Sequence, residues 1–299
     1  MHIKENILLS NFTTWKVGGP AKWLAEPTSI EEIKELINWA KKENIQCYII
    51  GAGSNLLIND SLWEGLIISM KKFQGSKIDE KSGIIEGFAG EPLPTLSRRA
   101  AKSGLHGLEW AVGIPGTLGG AAVMNAGAQG NCTAENLDYI RVISLKNGKE
   151  FKLTNKDLGF SYRKSILQEE NLLVISATLK LAPGFEKSIL NEVTNKNLQK
   201  RLETQPYHLP SCGSVFRNPK NHKAGELIES LGLKGYKIGG AEISTIHANF
   251  IVNSNNATAE DIYKLILYIQ NEVKMKHGIL LQTEVKQIGF QFPTNLKIS

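Results

Sequence analysis

The hydrophobic and polar positions of this chain switch between helical and strand spacing, and the switches mark out its elements. In TSIEEIKELINWAKKENI, Ile30, Ile33, Leu36, Ile37 and Ala40 recur at helical spacing, and Ser29 followed by Glu32 makes a capping box at the start. CYII (47–50) and GLIISM (65–70) are short apolar runs of strand length. LPTLSRRAAKSG reads as a helix stopped by Gly104. VISLKNGKEFKL predicts a hairpin with Asn147-Gly148 as a type I′ turn. NLLVISATLKL reads as a strand and EKSILNEVTNKNLQKRL as a helix, and a new unit is expected after QPYHLP. AGELIESLGLKG predicts a helix with Gly232 near its end, and HANFIVN a strand. Thr258 to His277 predicts a long amphipathic helix, capped by Thr258 and stopped by Gly278. In a final strand, LQTEVKQIGF, alternation puts Gln282, Glu284 and Lys286 on one face. Helices and strands are mixed throughout without an internal repeat, so the expected class is α+β.

Composition narrows this picture. At 299 residues the chain is too long for one comfortable core, and two or three domains are expected. Hydrophobic content of 41% and charged content of 21% are ordinary for a globular protein. No apolar run approaches the roughly 20 residues that span a bilayer, and MHIKENILLSNF has no secretory pattern, so no membrane is expected as a partner. Cys47, Cys132 and Cys212 are scattered and odd in number, which fits a reducing cytoplasm better than a disulfide framework or a zinc site. A net charge of +6 suits anionic ligands, but no basic block or helix face argues for nucleic acid.

Two glycine-rich stretches carry the first chemical signal. IIGAGSNLLI resembles a dinucleotide-binding turn but fails its test: the third glycine position is Leu56, and LLI reads as a strand where a helix is required. Gly51, Gly53, Ser54 and Asn55 remain either an anion nest of backbone N–H groups or a tight turn between strands. Between Gly104 and Gly130 lie eight of the 28 glycines of the chain. Within that stretch, in GIPGTLGGAAVMNAGA, Gly116, Thr117, Gly119 and Gly120 can wrap a diphosphate, with Asn125 adding an amide. Two such loops suit one large ligand with a diphosphate in its middle, as FAD or a nucleotide sugar has; the alternative is a glycine-rich packing corner.

Single residues are less specific. Tyr162 and Arg163 follow the hairpin in FSYRKS, where an arginine either binds an anion in a fork or lies solvated on the surface. Glu284 stands on a strand face that is solvated by default, and Ser214 in SCGSVFRNP reads as a turn serine. Cys212 lacks the sequence context of a protease nucleophile, and the six histidines show no metal-binding spacing.

Taken in order, NFTTWKVGGPA, IIGAGSNLLI, GLEWAVGIPGTLGGAAVMNAGA, FSYRKS, PSCGSVFRNP, AGELIESLGLKG and LQTEVKQIG resemble the MurB family, the UDP-N-acetylenolpyruvoylglucosamine reductases, from about Asn11 to Gly289. Each motif is weak alone; seven in order are specific. About fifty residues separate Arg163 from Ser214, which resembles the short form of the family, without the tyrosine loop of the long form.

The resemblance implies an FAD-binding fold of the vanillyl-alcohol oxidase type in two subdomains, plus a C-terminal α+β substrate-binding domain. The expected boundaries are 1–78 joined by a C-terminal strand at 284–299, then 79–204, then 205–283. It implies a cytoplasmic oxidoreductase of peptidoglycan precursor synthesis, in which NADPH reduces FAD and the enolpyruvyl ether of a UDP-sugar is reduced to UDP-N-acetylmuramate. By the same resemblance Ser214 supplies the proton, Arg163 and Glu284 stabilise the enolate, and Asn218 binds the substrate diphosphate with Arg217 and Tyr162 beside the substrate. A glutamate beside an enolate helps only when it is protonated or shares a hydrogen bond. A monomer or weak oligomer is expected. Another FAD-dependent oxidoreductase on the same fold is the alternative, and a flavin- or nucleotide-binding module without activity is a second.

Overall fold

The structure, a computed structural model, describes residues 2–290. In chain order its elements begin with β1 (Ile3–Leu8), β2 (Pro20–Ala25), α1 (Ile30–Lys42), β3 (Cys47–Ile50), β4 (Leu56–Ile58), β5 (Trp63–Ser69), β6 (Ser76–Asp79) and β7 (Ile84–Phe88). There follow α2 (Leu93–Lys102), α3 (Leu118–Met124), β8 (Gly127–Ala128), β9 (Asn131–Cys132), α4 (Thr133–Asn136), β10 (Leu137–Ser144), β11 (Glu150–Thr154) and β12 (Leu172–Lys180). The last are α5 (Lys187–Thr204), α6 (Ala224–Glu229), β13 (Lys237–Ile238), β14 (Ala241–Ile243), β15 (Ile251–Asn253), α7 (Ala259–His277) and β16 (Lys286–Ile288).

The chain divides into two compact units. One comprises the residues up to 5, 23–52 and 65–204; the other comprises 6–22, 53–64 and 205 onward. Three of the five boundaries fall inside β1, β2 and β5. Of the C-terminal strand expected at 284–299, the part from residue 291 lies outside the described residues.

The first unit is built on the sheet β11-β10-β12-β7-β6, whose pairs are antiparallel. β12 is its central strand. Leu173, Val174, Ile175, Ala177, Thr178 and Leu179 are all buried, and a shift of register at Ile175 against β10 interrupts the alternation. Burial on both faces is why its sequence reads as a continuous apolar run. The core adds Ile33, Leu36, Ile37 and Ala40 of α1, the stripe its spacing predicts, and Leu93, Leu96 and Ala100 of α2. Ser29 accepts the Glu32 N–H (3.1 Å), and Glu32 reaches back to the Thr28 N–H (2.7 Å).

The second unit packs α7 and α6 with the antiparallel sheet β13-β14-β15. Ile262, Leu265, Ile266, Ile269 and Val273 are the buried stripe of α7. Trp15 and Leu57 come from the N-terminal quarter of the chain and belong to this core, both fully buried. Trp15 Nε1 donates to Ile251 O (2.7 Å), and β4 pairs in parallel with β16, Leu56 beside Lys286 and Ile58 beside Ile288.

Three sequence expectations need correction. The hairpin of β10 and β11 exists, but its turn is not type I′. The strands end at Ser144 and Glu150, and Gly148 (φ 70°) is left-handed while Asn147 is not, so the loop is wider than two residues. HANFIVN yields strand only at Ile251–Asn253, because Phe250 N–H turns back to His247 O (3.0 Å). LQTEVKQIGF yields strand only at Lys286–Ile288, so Glu284 is not on a regular strand face.

Candidate active site

In the second unit, four stretches of chain form a small ladder around SCGSVFRNP. Phe216 and Thr283 are an antiparallel bridge. Glu284 N–H donates to Val215 O (2.8 Å) and Arg217 N–H to Gln282 O (2.9 Å). On the other side Val215 N–H donates to Asn249 O (2.9 Å), and the Asn249 carboxamide pairs twice with Phe216: its Oδ1 accepts the N–H (3.0 Å) and its Nδ2 donates to the carbonyl (2.9 Å). Asn55 extends the ladder beyond Glu284. Its Nδ2 donates to Glu284 O (3.1 Å), and its carbonyl accepts the Lys286 N–H (3.0 Å). Ser214, Arg217, Glu284 and Asn55, four of the residues singled out from sequence, are therefore set by one hydrogen-bonded framework.

Gly53 in this unit is left-handed (φ 70°), and a β-carbon there would lie 1.8 Å from Phe12 O. The close approach that this glycine permits is to the protein's own backbone, and its carbonyl accepts the Thr14 N–H (3.2 Å). The stretch from Gly51 to Asn55 joins β3 directly to β4, strand to strand, which is why it fails the dinucleotide pattern. Asn218 uses its Oδ1 to accept the Ala224 N–H (3.0 Å) at the start of α6, which leaves its amide nitrogen as the group to offer a ligand. Cys212 is buried, and burial, followed by the neighbouring charge of Glu284, holds its thiol well above the usual range. It is a neutral SH at physiological pH, unsuited to nucleophilic attack.

In the first unit the glycine-rich α3 segment and the FSYRKS turn are tied together. Tyr162 and Arg163 occupy the tip of a tight turn closed by paired hydrogen bonds between Ser161 and Lys164 (3.1 Å each). Arg163 is left-handed (φ 56°) and donates from Nη2 to Gly127 O (2.7 Å); its guanidinium lies 5.3 Å from the exposed Tyr162 ring. Asn125, the left-handed C-cap of α3, is buried. Its Nδ2 donates to Ser161 O (2.9 Å) and its Oδ1 accepts the Ala134 N–H (3.0 Å). Both ends of this amide thus hold the protein's own loops.

Thr117 caps α3 by accepting the Gly120 N–H (3.3 Å). A β-carbon at Gly51 would lie 2.6 Å from the Thr117 hydroxyl, so the two glycine-rich stretches, far apart in sequence, meet at this point. Gly119 packs so closely on Ala89 that a β-carbon would lie 2.7 Å from its methyl, and the Gly119 N–H is bonded to Ala89 O (2.9 Å). Gly119 therefore closes the packing, while Gly51, Gly116, Thr117 and Gly120 leave backbone with little side chain around one hydroxyl. That cradle of small residues fits a bulky ligand with a diphosphate.

Two relatives place the chain in a family. The UDP-N-acetylenolpyruvoylglucosamine reductase of Prochlorococcus marinus (strain MIT 9313) is 59% identical over 285 residues, 95% of this chain and 93% of that protein. The reductase of the same name from strain NATL2A is 58% identical over 288 residues, 96% and 98% of the two chains. The chain belongs to the UDP-N-acetylenolpyruvoylglucosamine reductase family. The family model for the MurB C-terminal domain matches residues 205–288, and a model for an FAD binding domain matches residues 21–154. The crystal structure of MurB from Thermus caldophilus superposes with a TM-score of 0.82 at 34% identity, covering 96% of this chain and 99% of that one. The resemblance read from seven motifs and the expected fold class are both borne out.

The structure also brings out residues that the sequence reading overlooked. Asn249 was read as part of a strand, although an asparagine in so apolar a run is itself a signal of a side-chain hydrogen bond. Trp15 lay inside a quoted motif with no role. Glu91, buried and bonded to Gly75 N–H (2.9 Å), Ser76 Oγ (3.0 Å) and Arg99 (3.3 Å), accepts the Leu118 N–H through its carbonyl (2.9 Å) and so anchors the entry to α3. Nothing in its local sequence marks it. Among the described residues no helix is long and apolar enough to cross a membrane, and no group of three His, Cys, Asp or Glu side chains is arranged to hold a metal.

Proposed function

We propose that the protein reduces the enolpyruvyl ether of UDP-N-acetylglucosamine to UDP-N-acetylmuramate with NADPH, as a cytoplasmic step of peptidoglycan precursor synthesis, and that it carries FAD. Two observations support the reading: the identity with the Prochlorococcus reductases along almost the whole chain, and the ladder that joins Ser214 to Glu284 through one hydrogen bond of Val215. FAD, when bound, supplies the hydride. Gly51, Gly53, Ser54, Asn55, Gly116, Thr117, Gly119, Gly120 and Asn125 are the residues proposed to form its site. Of these, Gly53, Gly119 and Asn125 act by shaping backbone and the others by lying against the ligand. We assign FAD-binding subdomains to 1–78 and 79–204 and the substrate domain to 205–283, with 6–22 and 53–64 packing in the same compact unit as the last of these.

Addition of hydride to the enolpyruvyl group builds negative charge next to a carboxylate that is already anionic. Charge of that kind needs donors that are in place before it develops. Arg163 suits this role. Its guanidinium is permanently charged and planar, and the left-handed turn at the tip of the Ser161–Lys164 loop aims it. Glu284 stabilises the enolate when its carboxyl carries a proton and donates it in a hydrogen bond, a state that the growing negative charge itself favours. Ser214 then delivers a proton from Oγ to carbon, a transfer that a weak acid can make because an enolate is a strong base. Asn218, with Arg217 and Tyr162, holds the UDP-sugar.

The test is Ser214→Ala read in two halves by the absorbance of the bound flavin. The change on adding NADPH should stay near the wild-type rate, because the serine proton is not needed there. The return on adding the enolpyruvyl substrate should slow about 10²–10⁴-fold, the usual contribution of a general acid. Equal slowing of both halves would make Ser214 a structural residue. A protein that takes up no FAD on titration would remove the basis of the whole reading.

A further inference from the structure

We propose that Asn249 is a positioning residue for Ser214: its carboxamide acts as a peptide group in side-chain form and sets the direction of the strand that carries the serine. The proposal rests on the assignment of Ser214 as the proton donor and adds to it the residue that aims the hydroxyl.

Asn249 is 4% exposed and Phe216 1% exposed. The Phe216 main chain is satisfied by Asn249 at both ends, N–H to Oδ1 and carbonyl from Nδ2, while the Asn249 carbonyl takes the Val215 N–H. A regular strand neighbour would do this with backbone. Here the neighbouring backbone turns away, Phe250 N–H closing on His247 O, and the side chain takes over. Asn249 is itself steadied by His247, whose Nδ1 accepts its N–H (3.2 Å). Across the ladder Val215 O holds the Glu284 N–H. The two residues after Ser214 are thus gripped from both flanks.

Among the described residues, none grips the residue before Ser214 in this way. Gly213 is left-handed (φ 82°), and the space where a β-carbon would sit is open. Ser214 therefore stands between a glycine with wide conformational freedom and a clamp, and the clamp decides where its Oγ points. An asparagine is suited to the clamp because it offers one donor and one acceptor without charge. Aspartate offers two acceptors, one of them against the Phe216 carbonyl; alanine leaves a buried N–H and a buried carbonyl unpaired.

The experiment compares four forms of the holoenzyme: wild type, Asn249→Ala, Ser214→Ala and the double variant. Asn249→Ala should slow the flavin change on adding the enolpyruvyl substrate by about 10- to 100-fold, the scale on which a small misplacement of a reacting group is felt. The change on adding NADPH should hold. In the Ser214→Ala background the same substitution should add no further slowing, since an effect exerted through the serine vanishes with it. Independently of activity, the Phe216 amide should exchange with solvent faster in Asn249→Ala and not in Ser214→Ala. Should Asn249→Ala not fold, the isosteric Asn249→Asp takes its place in the same cycle. Equal slowing by the Asn249 variant with and without Ser214, or no slowing at all, overturns the proposal. Failure of Ser214→Ala alone to separate the two halves overturns instead the assignment beneath it, and the proposal with it.

Discussion

The side chain of Cys212 shows how one residue's surroundings decide its chemistry. It stands two positions before Ser214, yet it is buried and shares its neighbourhood with the Glu284 charge, so both influences favour the protonated thiol. In the folded protein at about pH 8, near the usual thiol range, Cys212 should be the last of the three cysteines to react with iodoacetamide. In denaturant the three should react alike. Peptide mass spectrometry after a short pulse reads both, and fast native labelling of Cys212 would contradict this environment. Gly53 makes a second prediction at this scale. Gly53→Ala must place a methyl 1.8 Å from Phe12 O with the backbone left-handed. The left-handed strain alone costs about 1–2 kcal/mol, and the clash forces the backbone of Phe12 and Gly53 apart. The variant should melt well below the wild type; an unchanged thermal midpoint would refute the contact. The sequence marked Gly53 as special, but for the approach of a ligand. That its partner is the carbonyl of Phe12, forty-one residues earlier, is a long-range fact, which no local pattern carries.

Among elements, α7 was fully legible because its signals are local. Thr258 caps it, Asp261 completes the box, and Gly278 ends it in the left-handed region. Burial pushes the Asp261 carboxyl up, but hydrogen bonds from the Thr258 and Gly240 N–H groups and the Thr258 hydroxyl outweigh it, and the group lies below the usual range. A depressed folded value stabilises the native state above the unfolded value and ceases to do so as pH falls through the folded one. Asp261→Ala should therefore cost stability at neutral pH, about 0.5–2 kcal/mol for a lost cap. The gap to wild type should close on acidification below the ordinary aspartate range of about 4. Thermal melts of both forms from neutral to acid pH measure it, and a gap that does not narrow would refute the linkage. The β10–β11 turn and the Leu281–Ile288 stretch were misread because their geometry is set from outside. Asn-Gly signals a turn of some kind, but strand register fixes its width. In the last stretch Leu281, Val285 and Ile288 are buried, but at spacings of four and three, so the expected alternation is not kept. What the sequence pattern cannot show is that Thr283 and Glu284 pair with Phe216 and Val215 while Lys286 to Ile288 pair with β4.

At the scale of the whole molecule, the seven motifs made the family legible, while the way the chain divides was not. The sequence suggested a new unit after QPYHLP, and chain does enter the second unit at residue 205, where the family model for the C-terminal domain also starts. That unit is nevertheless not made from residues after 205 alone. Two earlier passages, 6–22 and 53–64, belong to it, and they supply Trp15 and Leu57 to its core and β4 as the partner of β16. Trp15 is fixed at both ends, Nε1 to Ile251 O (2.7 Å) and its carbonyl to Asn253 Nδ2 (3.0 Å). A chain that begins at Gln205 loses all of this. Removal of a buried tryptophan side chain alone costs about 3–5 kcal/mol, comparable with the total stability of many small domains, about 5–15 kcal/mol. The missing Leu57 and the unpaired β16 add to the loss. A fragment starting at Gln205 should therefore lack a cooperative thermal transition and bind a hydrophobic dye, although it spans a complete family-model domain. A fragment that melts cooperatively with native-like near-UV dichroism would show that Trp15 and β4 are accessories to this core rather than parts of it.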